Sequence, residues 1–323
     1  MEYYHKNNKS KIPVKYQRLV LSNENQLKSY KKILNRIDVK YIRFNFPLKT
    51  TLTKKDFFQF TNNSLKQLLF VDCSQPLVPG LLPEQLQDLV ISYNYKKPLT
   101  VGCLPSGLTD LQLFYNSHAL VPGIIPTGVQ RLVIGGNFIQ PLLPGCIPNS
   151  VTDLTIGSVA TIYKKPITPD IIPSTIKKLT FSSRFDQVLE EGTIPMGVES
   201  VFLGIDYNQP LQPGSIPKSC KILLLGFKYN HRLTPGILPS NLTCLGLGFT
   251  FNQPLTPECI PSTITHIYYD GEINIFKNYI PPNLKRIIFT KLSLYQTIFR
   301  DPIFNSIQLF KINSSELSKY MPI

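Results

Sequence analysis

A chain of 323 residues with 34 Lys/Arg, 20 Asp/Glu and six cysteines carries a formal charge of +14, but that charge sits at its ends. Residues 1–66 hold 15 Lys/Arg against 4 Asp/Glu (+11), residues 67–270 hold 12 against 13 (−1), and residues 271–323 hold 7 against 3 (+4). The start MEYYHKNNKSK has no apolar core of a secretory leader, and no run approaches the roughly 18 apolar residues of a membrane span, so the expected location is the cytoplasm.

In chain order, residues 17–21 (QRLVL) and 40–44 (KYIRF) read as short strands. Between them Leu27, Tyr30, Ile33, Leu34 and Ile37 recur at helical spacing, with Ser22 or Asn23 placed to cap the helix. Thr53 and Asp56 have the spacing of a capping box and predict a second short helix. Residues 1–64 therefore read as a basic N-terminal cap made of degenerate, helix-bearing rungs. Such charge can serve nucleic acid, but Tyr3, Tyr4 and Tyr16 form no recognisable RNA-binding motif. Solvated charge on a capping region is the favoured reading.

From residue 65 the chain becomes periodic. An Ile-Pro or Leu-Pro pair recurs at Pro83, Pro105, Pro126, Pro148, Pro173, Pro195, Pro217, Pro239 and Pro261, at intervals of 22, 21, 22, 25, 22, 22, 22 and 22 residues, with a looser copy at Ile280-Pro281. Each proline precedes an apolar triplet spaced L-x-x-L-x-L, such as Leu86/Leu89/Ile91 or Leu242/Leu245/Leu247, and Leu65/Leu68/Phe70 and Leu284/Ile287/Phe289 extend the series at both ends. The last two triplet residues alternate as a half-buried strand does. A glycine turn precedes most Ile-Pro pairs, at Gly80, Gly102, Gly123, Gly145, Gly192, Gly214 and Gly236, directly after proline in five of the seven, and suits a type II turn. Asp170 and Glu258 break the glycine rule, which predicts type I turns there. Proline cannot donate to a sheet ladder, so the Ile-Pro segment lies away from the strands. A fixed period in this range is the mark of a solenoid. The expected fold is mainly β with short helices: about thirteen rungs, one parallel sheet, and extended proline-rich returns.

The best copy of the strand-exit loop reads Phe-Asn-Gln-Pro-Leu, Phe251 to Leu255, with Asn208-Gln209-Pro210-Leu211 as another. That motif, followed in phase by Pro-Gly, Ile-Pro-Ser and the triplet, resembles the FNIP repeat family, which is similar to leucine-rich repeats and is found in amoeboid protists and giant DNA viruses. The resemblance covers about residues 65–290 and implies a leucine-rich-repeat-like solenoid. Many members of the family also look like F-box proteins at the N-terminus, which would imply a ubiquitin-ligase adaptor. This chain departs there, since its first 50 residues hold no Leu-Pro-x-Glu start. The motif Asn stands only at Asn208, Asn230 and Asn252. Asp186, Ser74 and Ser117 can still bond the loop backbone, whereas Lys96, Ile139 and Lys164 cannot, so an asparagine ladder is expected to be partial.

Residues 291–323 lose the period and read as a C-terminal cap, partly helical and broken at Pro302. No catalytic signature is present: the chain has no GxxxxGK[ST], HExxH or GxSxG, and Gly246-Leu-Gly248 is part of a strand. His118 and His231 stand where other rungs have Gln75, Gln140, Gln187, Gln209 and Gln253, so they read as repeat drift, not metal ligands. Cys103, Cys146 and Cys259 share a position with Leu81, Ile124, Ile171 and Ile237, and Cys220 opens a triplet, so the cysteines read as small core hydrophobes. No enzyme activity, metal, cofactor or small-molecule substrate is expected.

The informative surface is the outward row between the last two triplet residues: Leu69, Val90, Gln112, Val133, Thr155, Thr180, Phe202, Leu224, Gly246, Tyr268 and Ile288. Phe202, Leu224, Tyr268 and Ile288 frame a gap at Gly246, and Ile222, His266 and Arg286 flank them. An exposed apolar strip with aromatics marks a protein-binding face. The expected function is therefore a non-enzymatic scaffold that holds an unknown protein partner on this face. A ubiquitin-ligase adaptor with a cryptic N-terminal docking element, or attachment to nucleic acid through the basic ends, stands as the alternative.

Overall fold

A computed structural model of the protein describes residues 18–31, 39–49, 51–56, 65–92, 94–114, 118–136, 138–157, 163–271, 273–277, 279–289 and 307–311. The apolar triplets become strands because their last two residues point to one side and bury there. The strands are β1 (Arg18–Leu21), β2 (Tyr41–Leu48), β3 (Gln67–Cys73), β4 (Asp88–Ile91) and β5 (Asp110–Leu113). They continue as β6 (Arg131–Ile134), β7 (Asp153–Ile156), β8 (Lys178–Phe181), β9 (Ser200–Phe202) and β10 (Ile222–Leu224). The last four are β11 (Cys244–Gly246), β12 (His266–Tyr268), β13 (Arg286–Phe289) and β14 (Gln308–Lys311).

All fourteen lie in one sheet in chain order, and every neighbouring pair is parallel. The register keeps equivalent residues opposite one another: Leu223 faces Val201 on one side and Leu245 on the other. This is the parallel solenoid that the period predicts. It runs one strand further than expected, because the step from Arg286 to its partner Gln308 is again one rung. The predicted helix between the first two strands is α1 (Glu24–Lys31), capped by Asn23, whose side chain accepts from the Gln26 amide at 2.9 Å. Ile33, Leu34 and Ile37 lie outside the described residues, as does Pro302. Thr53 and Asp56 form the predicted capping box, with the Thr53 amide donating to Asp56 Oδ2 at 2.8 Å and the Asp56 amide to Thr53 Oγ1 at 3.3 Å.

Behind the sheet lies one continuous core. Every member of the triplets from Leu65/Leu68/Phe70 to Leu284/Ile287/Phe289 is buried in it, and each large aliphatic residue there contributes about 1.5–3 kcal/mol. The return path is closed by two turns per rung. In the first, the Ile237 amide bonds the Thr234 carbonyl at 3.3 Å across Pro235-Gly236. In the second, the Leu86 amide bonds the Pro83 carbonyl at 3.1 Å, and the same bond recurs through to Leu284 and Pro281 at 3.0 Å. Proline serves here as an acceptor only, so its missing N–H costs nothing.

The first turn also corrects an expectation. Gly236 has φ +83° with nothing near its missing Cβ, and Asp170 adopts the same left-handed conformation, φ 77°. The Asp170 turn is therefore of the glycine kind and not type I, because a short polar side chain tolerates this region better than most. Glu258 has no positive φ, as expected for type I.

Stacked rungs also share side chains. An aromatic column fills the strand-exit loop: Phe185, Tyr207, Tyr229 and Phe251 stack at centroid distances of 5.9, 6.2 and 6.4 Å. Beside it the partial asparagine ladder is real. The amides of Asn208, Asn230 and Asn252 donate to the side chains of Asp186, Asn208 and Asn230 at 2.9, 3.1 and 3.0 Å. Ser74 instead donates to the Leu48 carbonyl at 2.8 Å, and Ser117 lies outside the described residues. A second ladder, which the repeat pattern had not suggested, occupies the position two residues after the Ile-Pro proline. Ser150, Ser219 and Thr263 donate to the Val129, Val198 and Leu242 carbonyls of the preceding rung at 2.7, 2.8 and 2.7 Å.

Two stability predictions follow from these positions. Asp170→Gly should gain, and Gly236→Ala lose, about 1 kcal/mol, since only backbone conformation changes at each; urea midpoints measure both. Tyr95 and Tyr207 occupy equivalent places, yet the Tyr95 hydroxyl accepts the Leu77 amide at 2.9 Å, whereas the buried Tyr207 hydroxyl has no protein partner among the described residues. Tyr95→Phe should then cost about 1–2 kcal/mol by orphaning that amide, and Tyr207→Phe should be neutral or stabilising. Equal losses in the same assay would contradict the assignment.

Candidate interaction face on the outward side of the sheet

Side chains alternate along each strand, so the first and third residues of a typical strand face away from the core. These residues build two rows across the sheet, and the rows change character halfway along. In the N-terminal half the first row is charged and cross-linked between strands. Arg131 Nη1 lies 2.8 Å from Asp110 Oδ2 and Lys178 Nζ 3.6 Å from Asp153 Oδ2, while the Gln67 amide donates to Asp88. At the array's start the Arg18 guanidinium sits 4.7 Å above the Tyr41 ring. These groups remain partly solvated, so each pair is worth about 1 kcal/mol at most. They hold the fold only weakly.

In the C-terminal half the rows are mainly apolar, with Ser200, His266 and Arg286 as polar members of the first row, and here the structure corrects the sequence reading. Leu224, Tyr268 and Ile288 are not an exposed strip. They are 4%, 7% and 5% exposed and form a second small core with Cys244, against which the half-buried Phe202 and Ile222 pack. The gap at Gly246 is filled: a Cβ on Gly246 would lie 2.7 Å from Leu224 Cδ2. Leu224 leans into the space of the absent side chain, with Tyr268 on the strand beyond. Burial pushes the Tyr268 hydroxyl and the Cys244 thiol up to about 12. His266 is half-buried at the margin, and its imidazole is pushed down by burial and by the neighbouring charges of Arg286 and Lys285. Arg286 is exposed and bonds Gln308 Oε1 at 3.1 Å.

Apolar surface that remains open lies at the strand exits beside this cluster. Phe227 is 50% and Ile205 44% exposed, and Phe227 stacks on Phe249 at 5.6 Å. They occupy equivalent positions of three successive rungs, a column that the triplet pattern does not reveal because it falls in the loop. The signal was present as Ile205, Phe227 and Phe249 at 22-residue spacing.

Other candidates resolve into structure. His231 takes the role of the glutamine it replaces: its Nε2 lies 2.7 Å from the Asn208 carbonyl oxygen, much as Gln187 Nε2 donates to the Tyr163 carbonyl at 2.7 Å. All six cysteines are buried free thiols. Gly248 stands at a backbone crossing, where a Cβ would overlap the Gly226 carbonyl oxygen, and so serves packing. Among the described residues no group of three His, Cys, Asp or Glu side chains stands ready to hold a metal ion, and no helix is long and apolar enough to cross a membrane.

The second core predicts its own mutational signature. Leu224→Ala should cost about 2–4 kcal/mol, as a core truncation does. Leu69→Ala, at the equivalent but half-exposed position of β3, should cost less than half of that; equal effects on urea unfolding would show that the two halves of the face do not differ.

No curated protein matches the chain significantly. A solved structure described as CroV588, a novel circular leucine-rich-repeat protein, superposes with a TM-score of 0.57 at 19% identity over 93% of this chain and 60% of that one. This chain thus spans less than two thirds of that protein's length, and the likeness is one of fold. The FNIP repeat matches residues 74–114, 115–158, 163–206, 207–250 and 251–291, each match spanning two rungs. Covering well over half of the sequence in phase with the strands and turns described above, it establishes that the chain belongs to the FNIP repeat family.

Proposed function

We propose that the protein is a non-enzymatic repeat scaffold that binds another protein on the outward face of its sheet. One observation carries this reading: a single unbroken sheet presents paired charges on one half of its face and apolar contact on the other. A partner with apolar anchors and matching charges would be oriented along the array by that gradient. The accessible contacts of the apolar half are Phe202 and Ile222, with Arg286 at its edge and Phe227 and Ile205 beside it. Leu224, Tyr268 and Ile288 support these from beneath and carry less of the contact than their sequence pattern suggests.

The test compares affinity purification with wild type and with Phe202→Glu/Ile222→Glu, after circular dichroism and urea unfolding establish that the variant folds. A partner held on this face should be lost by about thirtyfold, the effect of about 2 kcal/mol at a contact centre. Capture unchanged by the double substitution would remove the apolar half of the face from the interface.

A further inference from the structure

The return path carries an apolar surface of its own, on the first turns of four successive rungs. Val78, Val121 and Leu143 open their turns, Val101 takes the second place of its turn, and Ile139 stands where later rungs have Asn208, Asn230 and Asn252. These five side chains are between 39% and 62% exposed, and Pro79, Pro122 and Pro144 beside them are exposed as well. Successive turns lie against one another: a Cβ on Gly123 would sit 3.7 Å from the Val101 methyls, and one on Gly145 3.7 Å from Pro122 Cγ. They form one apolar ridge, and an exposed patch of that kind marks a protein or a membrane contact.

We infer that this ridge seats the protein on an anionic membrane surface, a contact separate from the outward face of the sheet. Charge chooses between the two kinds of partner. The return segments from Cys73 to Pro83, Tyr95 to Pro105, His118 to Pro126 and Phe138 to Pro148 hold Lys96 and Lys97 and no Asp or Glu. The rungs on either side add Lys54, Lys55, Lys164 and Lys165, all exposed, against Asp56 and Asp170. One rung further the turn reads Glu190-Glu191, and the ridge ends. Lysine is depleted at protein interfaces, where Tyr, Trp and Arg supply the anchors, and a second copy of the chain would set lysines against lysines. An anionic bilayer takes both ingredients together, with aliphatic tips in the interfacial layer and lysines at the headgroups. The backbone permits it too. The amides of Leu81, Cys103, Ile124 and Cys146 bond the carbonyls of Val78, Thr100, Val121 and Leu143 at 3.1, 3.1, 3.3 and 3.1 Å, so the carbonyl that opens each turn is already paired when the tip leaves water. Lying on a membrane in this way needs no spanning helix.

The test is sedimentation of the full chain with vesicles of phosphatidylcholine containing about one-quarter phosphatidylserine, beside vesicles of phosphatidylcholine alone. Wild type should pellet with the anionic vesicles, and less so as salt rises. Val101→Ser/Leu143→Ser keeps the charge and alters only exposed side chains, so it should fold as wild type by urea unfolding and bind the vesicles about tenfold more weakly. Lys96→Gln/Lys97→Gln should weaken binding by about tenfold as well. Ile205→Ser/Phe227→Ser, at the exposed strand exits, is the control and should bind as wild type does. Equal binding by wild type and Val101→Ser/Leu143→Ser would overturn the ridge and leave the basic ends as the lipid contact, and an equal loss in the control would overturn it as the specific site. A wild type that ignores anionic vesicles would overturn the membrane reading, and a captured protein lost in Val101→Ser/Leu143→Ser would then assign the ridge to a protein. None of these outcomes touches Phe202 and Ile222, whose substitution tests the sheet face separately.

Discussion

Everything in this molecule depends on parallel stacking of equivalent residues at about 4.8 Å. In that arrangement each residue lies against the equivalent part of the rung before, so a ladder forms wherever a donor reaches a side-chain oxygen or backbone carbonyl there. The asparagines from Asn208 to Asn252 do so through side-chain oxygens and backbone amides. The hydroxyl column at Ser150, Ser219 and Thr263 does so at the second turn. Where a rung lacks a donor at that turn it has glycine instead, at Gly107, Gly128 and Gly197, because a side chain there would run into the carbonyl of the rung before. Glycine and hydrogen-bond donors are two answers to one close approach.

The same stacking gives the sheet two unlike sides. Inward, the triplets of every rung merge into one core that runs the length of the array. Outward, a side chain sees only its neighbours on the adjacent strands, so local composition decides what forms there. Charges at Asp110, Arg131, Asp153 and Lys178 give partly solvated pairs, and the apolar set around Leu224 gives a second core. Function in such a protein is read from that face and not from the fold, which is common to its family.

Much of this was legible because a solenoid repeats its own errors and signals. The prolines located the returns, the triplets located the strands, and Thr53 with Asp56 located a helix start that the structure confirms. Three features were not legible, each for a definite reason. Asp170 hides a left-handed turn because its geometry is imposed by the rungs on either side, not by the residue. The strand β14 lacks an Ile-Pro pair before it, so nothing in the pattern announces it, yet its register follows from β13. The donor column two residues after most of the prolines escaped notice because glycine and Ser, Thr or Asn look unrelated until their shared crowding is seen.

The order of the strands, their direction, the 22-residue period and the buried identity of the triplets were determined by the sequence alone, since they rest on periodic burial and on the backbone limits of proline. What tertiary structure decided is how far the outward residues lie from water. Leu224 and Leu69 occupy the same position of the repeat and are the same amino acid, yet one is buried and the other half-exposed. The difference comes from the neighbours each meets: Leu224 fills the space left open by Gly246 within an apolar group, while Leu69 has the partly solvated Arg43 and Val90 beside it. Accessibility is a property of what packs across strands, and a single chain position does not carry it.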